Sequence, residues 1–157
     1  MGIEIERKFL VKNDQWKKLA SGDHYCQGYL IRDAQTTVRV RIAKGKGFLT
    51  IKGKVQDLAR PEFEYEIPIS EAQEMLDLWC GEDVVKKNRY CIPLDNLVWE
   101  VDEFLGNNAG LIIAEVELES VNQPFQKPDW VGDEVSGDVR YYNSYLVKHP
   151  YNSWKTP

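Results

Sequence analysis

The chain has 157 residues, 43% hydrophobic and 29% charged, with a formal net charge of −5. That balance fits one globular domain over 1–157 and excludes a disordered chain, while the acidic excess argues against nucleic acid as a partner. No apolar run approaches the roughly 20 residues of a membrane-spanning helix.

The start, Met1-Gly2-Ile3-Glu4-Ile5-Glu6, lacks the basic and apolar regions of a signal peptide. Glu6 also stands where a myristoylation signal has Ser or Thr. A cytoplasmic protein without a membrane partner is expected. Cys26, Cys80 and Cys91 are odd in number and form no CxxC pair, so neither a zinc site nor a disulfide framework is expected.

In chain order, apolar and charged residues alternate over 3–11, the first predicted strand. A helix follows Asn13 or Asp14, either a suitable N-cap, with Trp16, Leu19 and Ala20 on one face. Strands at 25–32, 36–43 and 47–53 come next, joined through Asp33-Ala34-Gln35 and Lys44-Gly45-Lys46-Gly47. A strand at 60–69 leads to a second helix from Ser70, where Gln73 completes a capping-box pattern. Its apolar stripe is Ala72, Met75, Leu76 and Trp79, and Gly81 ends it.

Strands at 86–91, 97–104 and 111–119 follow, the last two linked by Gly106-Asn107-Asn108-Ala109-Gly110. Residues 124–137 read as loop, with Trp130 and Val131 packing down, and a third helix lies within 139–148 before Pro150. The short polar links favour antiparallel hairpins. Eight antiparallel strands with few helices point to a mainly β, closed barrel, because closure removes exposed edges. A two-sheet sandwich satisfies the same pattern.

Residues two apart on a strand point the same way. The polar parity therefore groups Glu4, Glu6 and Lys8; Arg39 and Arg41; Arg60, Glu62, Glu64 and Glu66; Lys87 and Arg89; Glu100 and Asp102; and Glu115, Glu117 and Glu119, with Lys52 opposite Leu49 and Ile51. A solvated sheet face accounts for any one of these strands. Signs are segregated, however, whereas tolerant surfaces mix them. Like charges held together call for a counter-charge: a divalent cation for the carboxylates, a polyanion for Lys and Arg. The pattern leaves open whether this parity faces a bore or solvent.

The same residues resemble the CYTH superfamily of triphosphate tunnel metalloenzymes. Glu4-Ile5-Glu6-Arg7-Lys8 matches its ExExK signature, and Val38-Arg39-Val40-Arg41-Ile42, Leu49-Thr50-Ile51-Lys52-Gly53, Arg60 to Pro68, Lys87-Asn88-Arg89-Tyr90, Trp99-Glu100-Val101-Asp102 and Ala114-Glu115-Val116-Glu117-Leu118 follow in family order. The resemblance implies an eight-stranded tunnel with a charged interior, holding a small triphosphate and Mg2+ or Mn2+. It implies substrate binding by Lys8, Arg39, Arg41, Lys52, Lys87 and Arg89, with Tyr29 beside them. It implies metal binding by Glu4, Glu6, Glu115 and Glu117, with Glu62, Glu64, Glu100 and Asp102 as further acidic wall residues. Glu4, Glu6, Lys8 and Lys52 form the implied catalytic set.

The implied reaction is hydrolysis of inorganic triphosphate or a related compound. Cyclisation of ATP, thiamine or nucleoside triphosphate hydrolysis, and a non-catalytic polyphosphate-binding module are the alternatives. An acidic barrel with one apolar patch is also compatible with a homodimer. His24 and His149 lack a second His at ligand spacing and read as surface residues. No GxxxxGK[ST] loop is present, so phosphate binding rests on side chains.

Overall fold

The computed structural model describes residues 2–154; the ends of the unit expected over 1–157 lie outside them. Strands β1 (Ile3–Val11), β2 (Gly22–Arg32), β3 (Thr36–Ala43), β4 (Lys46–Gly53) and β5 (Ala59–Ile67) precede helix α1 (Ile69–Met75). Strands β6 (Val84–Leu94), β7 (Leu97–Phe104), β8 (Ile112–Glu117) and β9 (Val131–Glu134) precede α2 (Asn143–Leu146). Antiparallel pairing runs β5-β4-β3-β2-β6-β7-β8-β1. Strand β1 then returns to β5 through Ile3↔Pro61, Glu4↔Arg60 and Ile5↔Ala59, which closes an eight-stranded barrel.

The seam of that closure is tight. The Glu62 amide donates to the Gly2 carbonyl at 2.8 Å. A Cβ on Gly2 would stand 1.4 Å from the Glu62 carbonyl oxygen, so this approach demands glycine.

The alternation of the strands sorts their side chains in an inverted sense: charge inside, hydrocarbon outside. Phe9, Ile92, Trp99, Val101, Ala114 and Val116 point outward from one side of the barrel and pack beneath Trp16, Phe125 and Trp130. Trp99 lies 5.6 Å from Phe9 and 5.8 Å from Trp130, ring centre to ring centre, in tilted and edge-to-face contacts. Across β2, β3 and β4, Val40 packs against Ala72, Leu76 and Cys80. Gly28 admits this helix, since a Cβ there would meet the Cys80 sulfur at 2.6 Å. Only at one end does the inner face turn apolar. There Val85, Phe104 and Ile113 meet Leu146 and Val147, so α2 plugs that end of the bore.

Several local expectations need correction. The segment after Asp14 is a single 3₁₀ turn, Gln15–Lys18; Trp16 is buried, but Leu19 is 55% exposed. Strand β5 ends at Ile67, and α1 begins at Ile69 with Pro68 in the cap position, so the Ser70–Gln73 capping box does not form. Gln73 instead donates to Asp77 at 2.9 Å. After Met75 the helix widens into a π turn, Leu76–Cys80. The extra residue rotates the stripe, giving Cys80 the inward place and leaving Trp79 65% exposed.

Strand β9 lies in the stretch read as loop. It pairs at Phe9↔Glu134 and Val11↔Val131, along the β1 edge that β5 leaves beyond Ile5. Trp130 and Val131 are buried, as expected. Cys26, Cys80 and Cys91 are free thiols, and His24 and His149 are exposed. Among the described residues no helix is long and apolar enough to cross a membrane.

Candidate active site

The inward parity of all eight barrel strands meets in one cavity of about 270 Å³. Glu4, Glu6, Lys8, Tyr29, Arg39, Arg41, Lys52, Glu62, Glu64, Lys87, Arg89, Glu100, Glu115 and Glu117 line it, all singled out by sequence. Register explains the convergence. Glu6↔Glu117 and Lys8↔Glu115 are direct partners between β1 and β8, as are Arg89↔Asp102 between β6 and β7 and Lys52↔Glu62 between β4 and β5. Opposed residues on one face stand close enough for their side chains to interact.

On one side of the bore the cations cluster. Arg89 meets Asp102 in a fork, Nε to Oδ1 at 2.7 Å and Nη2 to Oδ2 at 2.8 Å, while Lys87 Nζ donates to Oδ2 at 2.7 Å. Lys87 and Asp102 side chains are both 0% exposed. Burial opposes ionisation of Asp102, but Arg89 and Lys87 outweigh it and hold the carboxyl below its usual range. Burial lowers the Lys87 pKa to about 7; Asp102 works against this fall, and the charges of Arg89 and Arg41 add to it. Asp102 thus stands behind its two cations and is not among the residues lining the cavity.

Arg39 donates through Nη2 to Thr50 (3.1 Å) and Glu64 (3.3 Å), yet its buried Nε has no hydrogen-bond partner. Arg41 donates to the Gln27 amide oxygen at 2.9 Å and pairs with no carboxylate among the described residues. Burial, reinforced by Arg39 and Arg89, drags its pKa down to about 9. Such a half-buried, underpaired cation is costly unless an anion joins it.

Across the bore the acidic residues cluster. Carboxylate oxygens of Glu4, Glu62 and Glu117 all lie within 4.8 Å of one another. Lys52 reaches both oxygens of Glu4 at 3.2 Å and Glu62 at 3.3 Å, and Arg60 reaches Glu4 at 3.1 Å. Burial works against the charge on Glu4, but Lys52 and Arg60 outweigh it and hold its pKa at about 2. Burial, then Glu4, Glu62 and Glu100, push Glu117 upward.

Between the two sides, Lys8 lies 3.8 Å from Glu6 and 3.9 Å from Glu115. Burial and the adjacent Glu115 raise Glu6 well above the usual range. Burial opposes the charge on Glu115, but Lys8 and a hydrogen bond from Glu6 overcome it. The two neighbouring carboxyls are thus pushed in opposite directions, Glu6 up and Glu115 down.

The trio of oxygens on Glu4, Glu62 and Glu117 is a hard donor set without nitrogen or sulfur, which suits Mg2+ or Mn2+ in chemistry and spacing. Residues the sequence reading left unassigned also line the cavity: Tyr25, Thr37, Arg60, Tyr142, Asn143 and Ser144. Arg60 shared the parity of Glu62 and carried a detectable signal. Tyr142 to Ser144 carried none, because α2 reaches the bore only through tertiary packing. There Asn143 accepts from Lys87 at 3.2 Å, and the Tyr142 ring faces Lys8 at 5.3 Å.

A closed β-barrel whose bore sets an acidic trio against clustered Lys and Arg defines a polyanion-binding tunnel protein. Residues 2–143 match the CYTH domain, and the chain belongs to that family. An inorganic triphosphatase of Acetivibrio thermocellus is 52% identical over 155 residues, covering 99% of both chains. An inorganic triphosphatase of Nitrosomonas europaea is 34% identical over 152 residues, covering 92% of this chain and 96% of the relative. The crystal structure of the inorganic triphosphatase NE1496 superposes with a TM-score of 0.65 at 32% identity, covering 94% of this chain and 95% of the other.

Proposed function

We propose that this chain hydrolyses inorganic triphosphate in its barrel with the help of a divalent metal ion. The observation that carries the reading is the juxtaposition of Arg39, Arg41, Lys87 and Arg89 with the Glu4–Glu62–Glu117 trio in one cavity. A module that only held an anion would gain nothing from three carboxylates beside it. The relatives named inorganic triphosphatase support the same conclusion.

Phosphoryl transfer asks a protein mainly for positioning and charge neutralisation. Arg39 and Arg41 bring donors not taken by carboxylates, which point to the phosphate wall, with Lys8 and Lys52 neutralising the remaining oxygens. In this scheme Asp102 holds Lys87 and Arg89 in place and is a positioning residue, not a metal ligand. Glu4, Glu62 and Glu117 would hold Mg2+ or Mn2+, which when bound neutralises phosphate oxygens and acidifies water. Lys87, which donates to Asp102 at 2.7 Å and to Asn143 at 3.2 Å, would add its charge to the phosphate wall.

Purified protein given tripolyphosphate, ATP or thiamine triphosphate with magnesium or manganese tests the proposal. Phosphate released from tripolyphosphate in a metal-dependent manner is expected. Pyrophosphate with cyclic AMP from ATP, or tight binding without products, would overturn it.

A further inference from the structure

The inward face of β2 carries Tyr25, Gln27 and Tyr29 at alternate positions. Both tyrosines line the cavity, and Gln27 between them does not. Gln27 is 0% exposed. Its register partners are Arg41 on β3 and Val85 on β6, so it sits where the charged bore meets the apolar end that α2 plugs. A buried side-chain amide is costly unless its hydrogen bonds are made. Gln27 makes them with two groups of the cavity wall: its oxygen accepts from Arg41 Nε at 2.9 Å, and its nitrogen donates to the Tyr29 hydroxyl at 3.3 Å.

The chemistry of the partners forces this orientation. A guanidinium has no acceptor, so the amide turns its oxygen to Arg41 and its NH2 to Tyr29. The Tyr29 oxygen is then the acceptor in that contact, which leaves its own proton for another partner. Arg41 is likewise anchored at Nε, and among the described residues its Nη groups meet no protein acceptor. The Tyr25 ring centre lies 5.0 Å from the same guanidinium carbon. Uncharged groups alone therefore hold Arg41, in contrast to Arg89, which Asp102 holds in a fork.

We propose that Gln27 is a positioning residue whose neutrality directs two donors, the Nη edge of Arg41 and the Tyr29 hydroxyl, at the oxygens of a bound triphosphate; this rests on the triphosphatase reading above. An anchored guanidinium presents its free edge to phosphate as a preset fork. A carboxylate of the same length at this position would accept from both groups, consuming the charge of Arg41 and drawing the Tyr29 proton away from the cavity. An apolar side chain of that length would spare the charge but leave the guanidinium loose, to be ordered only when the ligand arrives.

Calorimetry with magnesium and the bridging-imido analogue of tripolyphosphate tests this on the full chain, with thermal unfolding and tripolyphosphate turnover followed in parallel. Gln27→Met should weaken binding about tenfold, the scale of ordering one or two side chains on association. In the Arg41→Gln, Tyr29→Phe double variant the same substitution should cost less than about twofold, because the groups it acts through are gone. Gln27→Glu should weaken binding about 10²-fold while its melting temperature holds or rises, since Arg41 gains a counter-charge. An equal loss on Gln27→Met in both backgrounds would mark a merely structural residue and overturn the proposal. Binding by Gln27→Met or Gln27→Glu within about twofold of wild type would also overturn it. Should Gln27→Met fail to fold, Gln27→Glu still decides. If wild type binds the analogue without cleaving tripolyphosphate, the triphosphatase reading falls and the affinities still decide Gln27; if it binds nothing, both fall.

Discussion

The two sides of the bore solve the problem of buried charge in different ways. The basic side carries its own counter-ion: Asp102, fully buried, serves Arg89 through a fork and Lys87 through a 2.7 Å contact. The acidic side crowds Glu4, Glu62 and Glu117 together, with Lys52 and Arg60 drawn in from neighbouring strands. One side is therefore braced for a ligand, and the other is held together by cations that a metal ion would replace. Stability should depend most on the first and metal dependence on the second.

The sharpest way to break this contrast is Asp102→Asn. Removing one partner of a buried ion pair leaves uncompensated charge and costs about 3–5 kcal/mol. Thermal unfolding should show a loss on that scale, and turnover should fall with it. Arg41→Gln should do the opposite to stability, because it deletes a half-buried cation with no carboxylate partner among the described residues. Its melting temperature should hold or rise while kcat/KM drops by about 10²-fold, the usual effect of losing one preset donor to a developing anion.

Glu117→Gln should leave the basic side untouched and raise the metal concentration for half-maximal turnover by about tenfold or more. Metal-free protein should be no less stable for it, since like-charge repulsion is relieved. The last effect concerns acid. Glu4 is held at about 2 in the folded chain against 4.5 as a free side chain. Between those values the unfolded chain binds the extra proton, so this stabilisation, complete above about pH 4.5, drains away as pH falls towards about 2. Unfolding of metal-free protein should be less steep in that window for Glu4→Gln than for wild type.

Much of this was legible in the sequence because a strand's period of two is unambiguous. Glu4, Glu6 and Lys8 had to share a face, as did Lys87 and Arg89, whichever way that face pointed. Direction was not legible. Charge inside and hydrocarbon outside is decided by closure of the barrel and by the layers over Trp99 and Val40, which are tertiary facts. Parity likewise could not separate Glu100, on the cavity wall, from Asp102, behind Arg89, because both point the same way at different depths. Trp79 misled for a local reason, a π turn that inserts one residue into a helical stripe. Strand β9 was too short for its alternation to register, and it forms because β1 offers an unpaired edge beyond Ile5.

The most direct measurement is anomalous diffraction from crystals soaked with Mn2+ and tripolyphosphate. The expected result is a manganese peak coordinated by Glu4, Glu62 and Glu117, with phosphate density against Arg39, Arg41, Lys87 and Arg89. Manganese and phosphate found only on the outer surface, with the bore holding neither, would contradict the tunnel as the seat of chemistry.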